Sequence, residues 1–240
     1  MSSQLALALR EGTKKAHTMA ENVGFVRCFL KGVVDKQSYR KLVANLYFVY
    51  GALEAAMAQH QEHPVVGPLY FPELVRQPAL ERDLAFYYGP QWREEISLSP
   101  AGQTYVQRIH ELAANQPELL VAHAYTRYMG DLSGGQILKK IAQNAMNLGE
   151  EGVAFYRFEQ IPDEKAFKAR YRQTLDALPV DAALVTAIVQ EANRAFGLNM
   201  RMFRELEGNL IKAIGIVLYN TLTRGRQRGS TETELAPAAE

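Results

Sequence analysis

Apolar side chains at Tyr39, Leu42, Val43, Leu46, Val49, Tyr50 and Leu53 recur at intervals of three and four residues, the spacing that places them on one face of a helix. The pattern predicts a long helix over 35–61. Similar stripes predict helices over 4–22, 23–32, 77–88, 99–116 and 162–178, and a final long one over 181–222 in which Gly197 and Gly208 mark bends. Segment 63–72 carries prolines and reads as a connection, and 148–161 breaks the helical pattern. Pro117 suits the first turn of a further helix, where the missing N–H has no helical acceptor to lose. No segment shows a convincing β pattern and no internal repeat appears. The fold class is all-α, one multi-helix domain over 1–223. Residues 224–240 have mixed charge and almost no bulky apolar side chains, and read as a disordered polar tail.

One helical segment breaks its own propensity. Tyr125-Thr126-Arg127-Tyr128-Met129-Gly130-Asp131-Leu132-Ser133-Gly134-Gly135-Gln136 keeps apolar helical spacing on both sides but holds three glycines. Each glycine in a helix interior costs roughly 0.5–1 kcal/mol relative to alanine, about 2–3 kcal/mol for the trio. Gly130 and Gly134 stand four apart on one face, opening a flat patch of main chain beside the Asp131 carboxylate. Three readings fit: close packing of two helices on small residues, a turn built from Gly, Asp and Ser, or a helix that kinks or flexes over a flat ligand. Continued helical spacing from Leu119 to Ala145 argues against the turn. Against a phosphate loop, no strand precedes the glycines and no Gly-Lys-Ser/Thr ending comes after them.

Composition narrows the classes. The 240 residues, 48% hydrophobic, are enough for a substantial core, and the net charge of +1 does not suggest wholesale nucleic-acid binding. The one cysteine, Cys28, cannot form an internal disulfide and fits a reducing compartment. No secretory signal opens the chain, and the longest apolar run, 210–222, contains Lys212 and is too short for a membrane crossing. The expectation is a soluble, cytoplasmic protein.

Five histidines remain as candidates for chemistry, at 17, 60, 63, 110 and 123. His60 and His63 read as a solvated pair at a helix end rather than a metal site, His110 as a surface residue and His123 as a buried hydrogen-bonded one. No Glu-x-x-His spacing occurs, which argues against a carboxylate-bridged di-iron bundle. His17 differs because Arg10 lies seven residues back, roughly 10 Å along a helix. A ligand held by the imidazole would meet positive charge at that distance, although an uncommitted imidazole on a helix surface is equally compatible with the spacing.

Taken in order, these segments resemble the heme oxygenase family. Glu11-Gly12-Thr13-Lys14-Lys15-Ala16-His17-Thr18-Met19-Ala20-Glu21-Asn22 is similar to its proximal-histidine helix, and 124–136 to its signature on the distal helix. The likeness continues through Tyr70-Phe71-Pro72-Glu73-Leu74, Phe86-Tyr87-Tyr88-Gly89-Pro90, 117–123, Phe167-Lys168 with Tyr171-Arg172, and Ala195-Phe196 with Asn199, covering about 4–210. Two positions depart from it: Arg10 stands where lysine is frequent, keeping the charge but altering its geometry, and Met129 replaces a more usual leucine at similar volume.

The resemblance implies that heme b, cofactor and substrate at once, is sandwiched between the first helix and the glycine-bearing helix. His17 would be the metal ligand from below, with Glu21 orienting it, and Gly130 and Gly134 would lie flat on the macrocycle from above. Arg10, Tyr125, Lys168 and Arg172 would hold the propionates, with Phe196 and Asn199 completing the pocket. Asp131 would anchor ordered water that delivers a proton to dioxygen, aided by Arg127 and Tyr50. Gly130 would steer attack to the α-meso edge, giving biliverdin, carbon monoxide and ferrous iron. With no flavin or nicotinamide fingerprint in the chain, electrons would come from an external reductant. Ferredoxin is the expected donor, docking on Lys14, Lys15, Lys139, Lys140, Lys168 and Arg170, and a bilin reductase is a possible downstream partner. Two rival readings stand beside this one: a heme carrier or sensor that needs His17 but not Asp131, and a helical interaction scaffold that binds no heme.

Overall fold

Ten helices carry the chain, in a computed structural model that describes the backbone of residues 4–224 and the side chains of residues 4–206. They are α1 (Leu5–Glu21), α2 (Gly24–Leu30), α3 (Lys36–Gln59), α4 (Gln77–Tyr88), α5 (Trp92–Glu95), α6 (Pro100–Asn115), α7 (Leu120–Ala124), α8 (Gly130–Met146), α9 (Glu164–Ala177) and α10 (Ala182–Arg224). No strand occurs among the described residues, and none of their helices is long and apolar enough to cross a membrane. Residues 225–240, most of the expected tail, lie outside the described residues. α10 runs unbroken through both Gly197 and Gly208.

The periodicity of α3 is its packing. All seven stripe residues, from Tyr39 to Leu53, are buried, and α3 packs along α4, α6 and α10 as the central rod. Burying each large apolar side chain of this kind contributes roughly 1.5–3 kcal/mol, which outweighs the modest helix propensity of valine and tyrosine. Side-chain caps set several starts: Asp35 accepts from Ser38 N–H at 2.9 Å, Ser99 from Gly102 N–H at 3.1 Å and Asp163 from Ala166 N–H at 2.9 Å. His60 and His63 are not a solvated pair. The His60 ring donates to the Ala113 carbonyl at 2.9 Å, and His63 Nδ1 accepts from Val65 and Val66 N–H.

Two features set the placement of α1 and α8. Gly12 on α1 faces Val189 on α10, where a Cβ would collide with the valine side chain, and Asn193 donates to the Gly12 carbonyl at 3.0 Å. The two helices therefore run in close contact, fixing α1 against α10. Between α7 and α8 the helix continues without a turn but widens into a π turn over Tyr125–Met129. An extra residue in one turn rotates everything beyond it and commonly marks a functional site.

Candidate active site

α8 begins on the bare face expected of it. A Cβ on Gly130 would meet nothing within 4 Å, and one on Gly134 would touch only Leu138, at 4.0 Å. Ile137, at i+7 from Gly130 on the same face, is 63% exposed. Close helix packing does not account for these two glycines, because no other helix packs on them among the described residues. Gly135 is the exception: it is buried, and its Cβ would lie at ordinary contact distance from Tyr156.

A polar cluster stands at the start of that face. The Tyr50 hydroxyl, from α3, donates a short hydrogen bond to Asp131. The Arg127 guanidinium lies over the Tyr50 ring, 5.4 Å from its centroid, and donates to Asn199 Oδ1 of α10 at 2.5 Å. Asn199 is only 4% exposed, so it acts through Arg127 rather than lining the open face. Burial pushes the Asp131 carboxyl above its ordinary range, opposed by Arg127, by the Tyr50 hydroxyl and by Arg76. A carboxyl whose proton is held more firmly than usual is suited to giving and taking one.

Arg76 was not legible in the sequence. It is buried, and its guanidinium donates to the carbonyls of Leu74, Phe155 and Arg157 while stacking 3.8 Å above the Phe158 ring. Its charge is thus solvated by carbonyls and felt by Asp131, Tyr50 and Glu54. Glu54 accepts from the backbone N–H of Arg76 at 2.6 Å and of Gln77 at 3.4 Å. Burial nevertheless raises its pKa from 4.5 to about 7. Between those two values the folded state holds the extra proton, so stability falls as pH rises through the window. Glu54→Gln removes this slope: relative to wild type, the variant gains on the order of 3 kcal/mol between about pH 4 and pH 8, a range that contains the whole window from 4.5 to about 7 at roughly 1.36 kcal/mol per pH unit. Urea unfolding at both pH values checks it, and an equal offset at the two would contradict the assignment.

The remaining predicted residues fall into two groups. His17 is well exposed on α1, edge-on to Phe196 of α10 with ring centroids 5.9 Å apart. Glu21 Oε1 lies 3.5 Å from His17 Nδ1, close enough to orient the ring but too far for a tight hydrogen bond. Arg10, Arg172 and Tyr125 come together at one edge, where both cations act on the Tyr125 hydroxyl. Lys168 reaches across from α9 to donate to the Leu132 carbonyl at 3.1 Å, leaving two of its three N–H bonds for a ligand. On the expected docking face, Lys139 pairs with Glu150 at 2.7 Å and Arg170 with Glu73 at 3.4 Å, so those two cations are largely offset. Lys14, Lys15 and Lys140 are exposed without such partners among the described residues.

A histidine on one helix, an uncovered glycine face on another and a ring of cations at one edge make a seat for a flat anionic ligand. The heme oxygenase family model matches residues 3–205. The chain belongs to the heme oxygenase family. It is 66% identical to heme oxygenase 1 of Synechocystis over 236 residues, 98% of each chain, and 58% identical to heme oxygenase of Rhodella violacea over 223 residues, 92% of this chain and 95% of that one. The crystal structure of the Synechocystis heme oxygenase-1 in complex with heme superposes with a TM-score of 0.90, covering 91% of this chain and 99% of the other. The all-α fold expected from the sequence is that of the heme oxygenases.

A second buried cluster joins α6, α7 and α10. His123, fully buried, contacts Glu191 at 3.0 Å, and Arg108 grips the same carboxylate with bonds of 3.0 and 2.8 Å. Burial holds the imidazole below its ordinary pKa. It is the buried hydrogen-bonded histidine that the sequence suggested, and its partner stands 68 residues away.

Proposed function

We propose that this chain cleaves heme oxidatively at the α-meso carbon, yielding biliverdin IXα, carbon monoxide and ferrous iron. The observation that carries the reading is the uncovered main chain at Gly130 and Gly134 beside the Tyr50–Asp131–Arg127 cluster. A carrier would need the flat face but not a buried carboxyl poised for proton exchange, and a scaffold would need neither.

The residues fit heme as substrate. His17 supplies a neutral imidazole nitrogen for the iron, steadied by Glu21 and packed edge-on by Phe196. Gly130 and Gly134 let the α8 backbone approach the macrocycle, where any larger side chain would occupy the ligand's volume. Arg10, Arg172, Lys168 and the Tyr125 hydroxyl form the polar edge that receives the two propionates. Heme, when bound, supplies the iron at which dioxygen is reduced. Asp131 anchors water on that side and passes it a proton, while Tyr50 and Arg127 hold the carboxyl in place. The close approach of the α8 backbone at Gly130 would leave one meso edge of the substrate open to attack and cover the others.

Electrons come from outside the chain. Ferredoxin is the proposed donor, docking on Lys14, Lys15 and Lys140 around the heme edge, with the paired Lys139 and Arg170 contributing less. Biliverdin made this way would supply bilin synthesis through a downstream bilin reductase.

His17→Ala tests the ligand assignment. The ferric heme complex of the variant loses the absorption of nitrogen ligation, turnover falls at least tenfold, and added imidazole restores the spectrum, since a removed side chain leaves room for its free analogue. An unchanged spectrum in the variant would show that another residue binds the iron.

A further inference from the structure

A groove of about 280 Å³ opens between α6 and α10, and residues at i, i+3, i+4 and i+7 line it from both sides: Thr104, Gln107, Arg108 and Glu111 from α6, and Arg194, Gly197, Leu198 and Arg201 from α10. The one carboxylate on this lining, Glu111, faces Arg108, so three cations outnumber it. That spacing marks the facing stripes of two packed helices, which are ordinarily apolar and shut. Here the seam is polar and open. Arg108 is committed to Glu191 beneath the groove and to Glu111 at 3.4 Å on its own helix. Arg194 and Arg201 make no hydrogen bond or ion pair with any described residue. A Cβ on Gly197, between them, would meet nothing within 4 Å.

Two guanidiniums with no hydrogen-bond or ion-pair partner among the described residues therefore flank a position that has no side chain and that no described residue fills. They stand seven residues apart, roughly 10 Å along the helix, and their long side chains can close on an anion held over the glycine. Guanidinium forks match phosphate oxygens in pairs, and Gln107 adds a neutral amide donor from the opposite wall, where the Thr104 hydroxyl is committed to the Pro100 carbonyl at 3.0 Å.

We propose that this groove is a binding site for a small diphosphate-bearing anion, clamped by Arg194 and Arg201. Gly197 lies directly between Phe196, which packs on His17, and the segment carrying Asn199, which holds Arg127. An occupant therefore bears on the piece of α10 that supports both sides of the heme seat. The site depends on none of the heme chemistry and is tested apart from it.

The test uses the full-length chain and magnesium-free inorganic pyrophosphate, read by calorimetric titration and by thermal unfolding at constant ionic strength. Wild type binds with a submillimolar Kd, and its Tm rises with pyrophosphate concentration, as binding to the folded state requires. Arg194→Gln/Arg201→Gln weakens binding at least tenfold and abolishes the shift. Lys41→Gln/Arg204→Gln removes the same charge from exposed positions outside the groove and leaves both intact. ADP in place of pyrophosphate distinguishes the sources: equal or tighter binding through the same arginines assigns a nucleotide, and weaker binding assigns the free diphosphate. No pyrophosphate binding by wild type, or equal losses in the two double variants, overturns the proposal.

Discussion

Asp131→Ala leaves the heme complex formed and lowers biliverdin production by at least a hundredfold. The carboxyl sits where three elements meet: α8 carries it, Tyr50 of α3 donates to it, and the π turn supplies Arg127. Alanine removes the only acid in this cluster while leaving the glycine face and His17 untouched, so affinity and turnover separate. A positioned proton-transfer group contributes roughly 10²–10⁴ in rate, and that is the loss expected. Because the buried Tyr50 hydroxyl then loses its acceptor, the variant also loses about 1–3 kcal/mol of stability. Asp131→Asn provides the companion measurement: it keeps the volume and an acceptor for Tyr50, yet has no proton to exchange, so its turnover falls with that of alanine while more of its stability survives. Heme absorbance and biliverdin formation, followed together under reductant and oxygen, read all of this. Wild-type turnover in Asp131→Ala would remove the proposed proton path, and no biliverdin from the wild-type chain would return it to the carrier reading.

The sequence carried the helices because each depends on neighbours in the chain. Burial of the Tyr39–Leu53 stripe, the caps at Asp35, Ser99 and Asp163, and Pro117 at the head of its turn are all local matters of spacing or capping. The four-residue helix α5 was missed, being shorter than any period can register. The glycine-bearing segment showed that something irregular was needed, and the irregularity is a π turn that no propensity encodes.

The candidate site was legible where one residue's chemistry stands out and hidden where it arises from pairing at a distance. Gly130 and Gly134 could be separated from Gly135 only once their surroundings were known, since all three look alike in the chain. Gly12 passed as part of a motif, although its contact with Val189 fixes α1 on α10. Glu54 with Arg76, 22 residues apart, and Arg108 with Glu191, 83 apart, leave no periodic trace. Buried arginines and glutamates in apolar stretches were the available signal, because such residues are almost never fully buried unless paired.

The central claim is that heme fills the space over Gly130 and Gly134, opposite His17. Gly134→Leu separates this from every packing explanation, because the two make opposite demands on one substitution. Among the described residues only Leu138 comes within 4 Å of a Cβ at Gly134, so the added side chain meets little in the heme-free protein, and replacing a helical glycine stabilises it by about 0.5–1 kcal/mol. In the complex the same side chain stands where the macrocycle must lie flat. The deciding measurement is the heme titration of Gly134→Leu, followed in the Soret band beside wild type, with thermal unfolding confirming that the heme-free variant is folded. The account predicts a variant at least as stable as wild type whose heme affinity is down by a hundredfold or more; wild-type affinity in a folded Gly134→Leu protein would contradict it.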